Sequence, residues 1–171
     1  MRHLTPADYT VMPWANGKGT TIEMLKTLDG GQLKWRLSRA SVVENGDFSI
    51  FPGVERNLTV LTGPGFDLVG QGLHLPARPL VPVAFAGDLP IRAEGVSAPS
   101  DDFNVMTDRA LPRPEVAVVT GAAQVPAGGL LAVYALAPSR VNGRDMAAQD
   151  LLLTDDALSI AGQVIVVRLL D

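Results

Sequence analysis

Arg56 makes the sharpest chemical demand in this sequence. In Glu55-Arg56-Asn57-Leu58-Thr59-Val60 it opens an expected strand and shares its parity with Leu58 and Val60, a face that reads as core. An arginine on an apolar face must be paired or must face a cavity. Its planar fork suits a carboxylate through two parallel hydrogen bonds. The competing reading is a structural ion pair with Glu44, Asp47 or Asp88.

Two further segments concentrate hydrogen-bond donors. Lys34-Trp35-Arg36-Leu37-Ser38-Arg39-Ala40-Ser41 alternates as a strand. Trp35, Leu37 and Arg39 share one face, and Arg36, Ser38 and Ala40 the other. The second face sets an arginine and a hydroxyl in line for a polar ligand. It reads equally as a half-exposed strand with Arg36 in water. Pro13-Trp14-Ala15-Asn16-Gly17-Lys18-Gly19-Thr20-Thr21 places a tryptophan beside a glycine-flanked turn. Trp14 would be a rigid aromatic wall, and Asn16, Lys18 and free backbone N–H groups would be donors for an anionic or amide ligand. The plainer reading makes Trp14 a core plug and Asn16-Gly17 a simple turn.

Other chemistries find no residues to carry them. The chain has no cysteine, which removes thiol catalysis, disulfides and cysteine-ligated metals. Its 2 histidines, His3 and His74, sit in no metal-binding spacing. The adjacent acids Asp101-Asp102 and Asp155-Asp156 would point opposite ways on a strand and read as solvated turns. No metal or cofactor is therefore expected. No G-x-S-x-G elbow is present, and Met12 stands where a phosphate-binding loop through Gly17-Lys18 needs its first glycine.

The elements that must position these residues follow from composition and turn spacing. The chain has 171 residues, 47% hydrophobic and 19% charged, enough for one domain or two small subdomains with a real core. Its 17 glycines and 13 prolines are spread along the length, which argues against long helices. Turn signals such as Asp29-Gly30-Gly31, Asn45-Gly46, Gly63-Pro64-Gly65 and Asn142-Gly143 recur at intervals of about ten residues, as in a sandwich or barrel of short strands. Leu58–Leu61, Phe66–Val69, Glu115–Thr120, Leu130–Leu136 and Gln163–Leu170 are expected strands. So is Leu151–Leu153, in preference to a helix at Met146–Gln149. Thr5-Pro6-Ala7-Asp8 predicts one short helical turn. Residues 95–114 read as a polar, Pro-rich middle, with Asp101–Arg109 a loop carrying one buried Phe and Met. The flanking runs Leu58–Gly63 and Val116–Gly121 share a strand-Thr-Gly form, too little alone to establish a duplication.

Charge and hydropathy narrow the partners. Lys+Arg is 14 against 18 Asp+Glu, a net charge of −4 with no basic run, so no nucleic-acid partner is expected. Leu80–Ala86 and Leu130–Ala137 are far too short to span a bilayer, so no membrane partner is expected either. A cytoplasmic protein is the reading.

Taken in order, the motifs resemble the HutD/Ves family. They are Met12–Thr21, then Trp35-Arg36-Leu37-Ser38 with Ala40, then Phe48-Ser49 with Phe51-Pro52-Gly53 and Arg56, then Phe85 with Gly87-Asp88, then Asp102-Phe103-Asn104-Val105-Met106. Lys18 stands where the family often has a third glycine. The resemblance implies an all-β bicupin: two small cupin-like β-barrel halves, about residues 1–95 and 110–171, joined in one compact unit. It implies no metal-binding histidines, and a homodimer formed through edge strands, as cupins often pair. It places Arg56 in a pocket against a small carboxylate, with Trp14, Asn16, Arg36, Ser38, Asp88 and Asn104 as walls and orienting groups. The expected ligand is a formylated or formimino amino acid, and the expected role is to tune bacterial histidine utilisation. A metal-independent cupin isomerase or hydrolase would instead need an acid or base, for which Asp88 and Glu23 are the candidates. A stress-related interaction module would need no ligand at all.

Overall fold

The computed structural model describes residues 1–14, 17 and 19–171. Among them the chain is built of strands, with a single 3-10 turn at Pro6–Asp8. Two compact units result. One is Thr10–Ala110, and the other joins Met1–Tyr9 to Leu111–Asp171. The expected halves, about 1–95 and 110–171, divide the chain differently. Here the first nine residues go with the C-terminal unit, and residues 95–110 stay with the earlier one.

Met1–Tyr9 supplies β1 (Arg2–Leu4) to the second unit. The Thr10–Ala110 unit starts with β2 (Thr10–Pro13), β3 (Thr20–Asp29), β4 (Gln32–Val42), β5 (Gly46–Asp47) and β6 (Val54–Thr62). It continues through β7 (Phe66–Gly70), β8 (Leu73–Ala77), β9 (Val83–Ala86), β10 (Ile91–Glu94) and β11 (Ser100–Asp108). These strands form two sheets, ordered β2-β3-β4-β11-β6-β9 and β5-β10-β7-β8. Their apolar faces meet in one core. Leu58, Val60 and Phe85 come from the first sheet, and Phe66, Leu68, Ile91 and Ala93 from the second. Each of those side chains is at most 5% exposed, so the two-residue period of the strands has sorted apolar groups inward.

The Gly63-Pro64-Gly65 turn carries the chain from one sheet to the other. Gly65 has φ +81°, and a Cβ there would lie 2.1 Å from the Ala77 carbonyl oxygen. Only glycine combines that dihedral with that approach. The Gly65 N–H donates to Ser100 Oγ at 2.9 Å, tying the turn to the start of β11.

Residues 95–114 are the main departure from expectation. Ser100–Asp108 is not a loop but β11, hydrogen-bonded between β4 and β6 at the middle of its sheet. Its polar residues hid it. Ser100, Asp102, Asn104 and Thr107 are all buried, so the outward signature of a loop belongs to an interior strand.

The other unit takes β1 into a seven-stranded sheet with β12 (Glu115–Val125), β13 (Leu130–Ala135), β14 (Ser139–Val141), β15 (Arg144–Met146), β16 (Leu151–Thr154) and β17 (Leu158–Leu169). β17 pairs with β12 along its full length on one side and with β13 and β14 on the other. Leu131, Val133, Leu152, Ile160 and Val164 fill its core. The preference for a strand at Leu151–Leu153 is met by β16, and the short turn at Thr5–Asp8 is a 3-10 turn with a capping box. β1 is fastened by His3 Nε2, 2.8 Å from Asp150 Oδ2. No helix among the described residues is long and apolar enough to cross a membrane.

Candidate functional site

The Thr10–Ala110 unit carries a half-open cavity of about 670 Å³. Its floor comes from three neighbouring strands in register. Asn104 on β11 stands opposite Ser38 on β4 and Leu58 on β6, and Met106 stands opposite Arg36 and Arg56. Asp102 completes the row opposite Ala40 and Val60. The two-residue period puts all of these on one face. The polar face expected of β4 and the Arg56 face expected of β6 are therefore the same wall.

Arg56 is 5% exposed. It pairs with none of Glu44, Asp47 and Asp88. Its Nη2 donates to Asn104 Oδ1 at 2.7 Å, while its Nε has no hydrogen-bond partner. Three phenyl rings surround the guanidinium, with centroids 5.3 Å (Phe48), 5.4 Å (Phe51) and 5.1 Å (Phe85) from Cζ. Such cation–π contacts recover part of the lost hydration. The rest is not recovered: burial lowers the Arg56 pKa to about 10, with Asp102 opposing and Arg36 reinforcing that shift. Arg56 thus presents a buried positive charge and an unused donor to the cavity.

Asp102 was missed as a site residue. It does lie on a strand and does point away from Asp101, as adjacent strand residues must. It is 1% exposed rather than solvated. Asn104 Nδ2 makes a short hydrogen bond to its Oδ1. Burial raises the Asp102 pKa to about 7; the Arg56 charge pulls it down and the Asp101 charge pushes it up. On the other face Asp101 accepts from Ser41 Oγ and lies 3.8 Å from Arg39 Nη2. The signal that could have found Asp102 is the alternation of Asp102, Asn104 and Met106 with Phe103 and Val105.

The remaining candidates divide. Arg36 lines the cavity and is held from the side by Glu23, Nε to Oε2 at 2.7 Å. Glu23 is thus an anchor of Arg36 and is not in the cavity wall. Ser38 lines the cavity and is 3% exposed. Trp14 also lines it, with Nε1 donating to Thr21 Oγ1 at 2.9 Å and its main-chain N to Gly19 O at 2.8 Å. A Cβ on Gly19 would lie 2.7 Å from the Trp14 ring, so the absence of a side chain at Gly19 makes room for the indole. Asp88 is not part of the wall. Both its oxygens accept from Arg109, each at 2.8 Å, and that pairing holds its carboxyl below the usual range. Asn16 and Lys18 lie outside the described residues. No group of three or more His, Cys, Asp or Glu that could hold a metal occurs among the described residues.

The HutD family model matches residues 6–168. An uncharacterised 21.2 kDa protein of the hutC 3' region in Pseudomonas putida is 40% identical over 110 residues, which is 60% of this chain and 56% of that protein. Protein Ves of Cronobacter sakazakii is 39% identical over 117 residues, 65% of this chain and 64% of that one. The matches thus span less than two thirds of these relatives' lengths. Among solved structures, HutD from Pseudomonas fluorescens SBW25, in a formate condition, superposes with TM-score 0.89 at 29% identity, covering 98% of this chain and 96% of that one. A cupin 2 conserved barrel domain protein from Leptotrichia buccalis shares the fold alone, with TM-score 0.60 at 7% identity over 90% of this chain and 89% of that one. The fold is all-β and cupin-like, as the motif resemblance implied.

Proposed function

The chain belongs to the HutD family, and from that premise we propose that it binds a small carboxylate metabolite and modulates bacterial histidine utilisation through it. The ligand class is a formylated or formimino amino acid of histidine breakdown. One observation carries the reading: Arg56 keeps a buried positive charge and an unused Nε at the wall of a cavity large enough for such a molecule. A structural arginine would have been matched to an acid at hydrogen-bonding distance. Here the partner is the neutral amide of Asn104, which leaves room for a carboxylate on the fork. The hutC-region relative and the formate condition of the Pseudomonas fluorescens HutD structure agree with this class. A cytoplasmic location is part of the same proposal.

The test is calorimetry with formate and with N-formyl amino acids from N-formylglycine to N-formylglutamate. Arg56→Ala is expected to weaken binding by about tenfold to a hundredfold, the usual worth of a charge-assisted pair. Arg56→Lys, which keeps the charge but loses the fork, should recover only part of it. Unchanged affinity in Arg56→Ala would sink the assignment.

A second reading has one observation in its favour. Asp102 is a buried carboxyl lifted to about 7 inside the cavity, the setting of a general acid or base. It replaces Asp88 and Glu23, whose carboxylates are each committed to an arginine. Turnover of the same N-formyl compounds by wild type but not by Asp102→Asn would favour this metal-independent cupin enzyme. Tight binding without turnover would count against it.

A further inference from the structure

One carboxyl group stands in the wall where a bound carboxylate would be repelled. Asp102 is 1% exposed, and the Asn104 amide joins it to Arg56. Asn104 Nδ2 donates to Asp102, and Asn104 Oδ1 accepts from Arg56 Nη2 at 2.7 Å. A single side chain therefore bridges the charge that draws an anion in and the charge that pushes it away. The charged groups around this point are Arg56 from β6 and Arg36 from β4, with Glu44 and Asp47 in the same cavity wall, while Arg39 of β4 and Asp101 of β11 act on Asp102 from the other face of the sheet.

An anion seated on Arg56 would take up the positive charge on which the Asp102 carboxylate relies. Burial and the anion would then both oppose that carboxylate, and a solvent proton is the available relief. Resting on the carboxylate reading above, we infer that Asp102 gains a proton when a carboxylate binds at Arg56, so that the cavity admits its ligand as anion plus proton. The carboxylate becomes a carboxylic acid with no other bond changed. The wall turns from a repelling charge into a neutral hydrogen-bond donor.

The chemistry of the site itself agrees. Burial already lifts Asp102 to about 7 against the attraction of Arg56, so a modest further push protonates it near neutrality. Arg56 holds its charge until about 10. Neither His3 nor His74 is in the cavity wall. Simple carboxylate ligands are ionised above about pH 5.

The experiment is titration calorimetry of wild type and Asp102→Asn with formate and N-formylglutamate, from about pH 6 to 9. Each titration is run in two buffers of different ionisation enthalpy. Wild type should take up close to one proton near pH ~8. Its affinity should fall by up to about tenfold per pH unit above neutrality. Asp102→Asn keeps an acceptor for Asn104 and should bind with flat pH dependence, more tightly than wild type at pH ~8.5. Buffer-independent heats and a flat wild-type profile would overturn the coupling while leaving carboxylate binding intact. The wild-type slope persisting in Asp102→Asn would assign the proton elsewhere and overturn the role of Asp102. Failure of both proteins to bind either compound at pH ~6 would remove the carboxylate reading and the coupling with it. The wild-type heats carry the test if Asp102→Asn does not fold.

Discussion

Replacing Asp102 with asparagine should make the Thr10–Ala110 unit more stable at neutral pH and leave it nearly unchanged in acid. The sign follows from proton linkage. The folded-state pKa of Asp102 is raised from 3.8 to about 7. Below the lower value the group is protonated in both states and contributes no difference. As pH rises, the unfolded chain ionises first, and the folded state loses stability until Asp102 also ionises near 7. Each unit corresponds to about 1.36 kcal/mol, so a shift of roughly three units gives about 4 kcal/mol as a ceiling. The asparagine does not titrate and keeps the Asn104 contact. The stability difference between variant and wild type should therefore climb from pH ~4 to pH ~7 by up to that amount and then level off. Urea unfolding followed by tryptophan fluorescence measures it. Both tryptophans of the chain, Trp14 and Trp35, lie in this unit, so the signal reports it selectively. A difference that does not change with pH, or a variant less stable at pH ~8, would refute the account of Asp102 as a buried, under-compensated acid.

Three other outcomes follow from the same geometry. Asp88→Asn should leave N-formylglutamate affinity unchanged, because Asp88 is engaged by Arg109 outside the cavity wall; calorimetry checks this. Trp14→Phe should abolish any fluorescence change on ligand binding, because Trp35 occupies the opposite face of β4 from the cavity residues Arg36 and Ser38. Gly65→Ala should cost at least about 2 kcal/mol in urea unfolding, since the added carbon meets the Ala77 carbonyl at 2.1 Å and the residue must keep φ +81°.

Much of this arrangement was legible in the residues because strands report themselves by parity. Arg56 with Leu58 and Val60, and Arg36 with Ser38 and Ala40, could be placed on their faces without coordinates. That the two faces form one wall could not, because strand order is a tertiary property and β11 stands between β4 and β6. β11 itself was obscured by Ser100, Asp101 and Asp102, residue types that normally mark turns. Asp102 is buried in the wall of the cavity, whose polar lining breaks the rule that inward means apolar, whereas Ser100 is buried against the Gly65 turn and Asp101 pairs with Ser41 on the other face. Asp88 was drawn in by its neighbours in a motif rather than by its own surroundings, and Arg109, 21 residues away, could not be matched to it from spacing.

The pairing of β1 with β16 bears on how the molecule is made. His3 and Asp150, which meet at that junction, are 147 positions apart. At a synthesis rate of about 5–20 residues per second, one strand leaves the ribosome some ~7–30 s before the other. In that interval the whole of Thr10–Ala110 has emerged and can close around its cavity, while β1 waits without its hydrogen-bonding partner. The Thr10–Ala110 unit is thus fully synthesised before the other unit has acquired its edge. A strand of only three residues is a short one to leave waiting, and so a small risk for premature pairing with a neighbour.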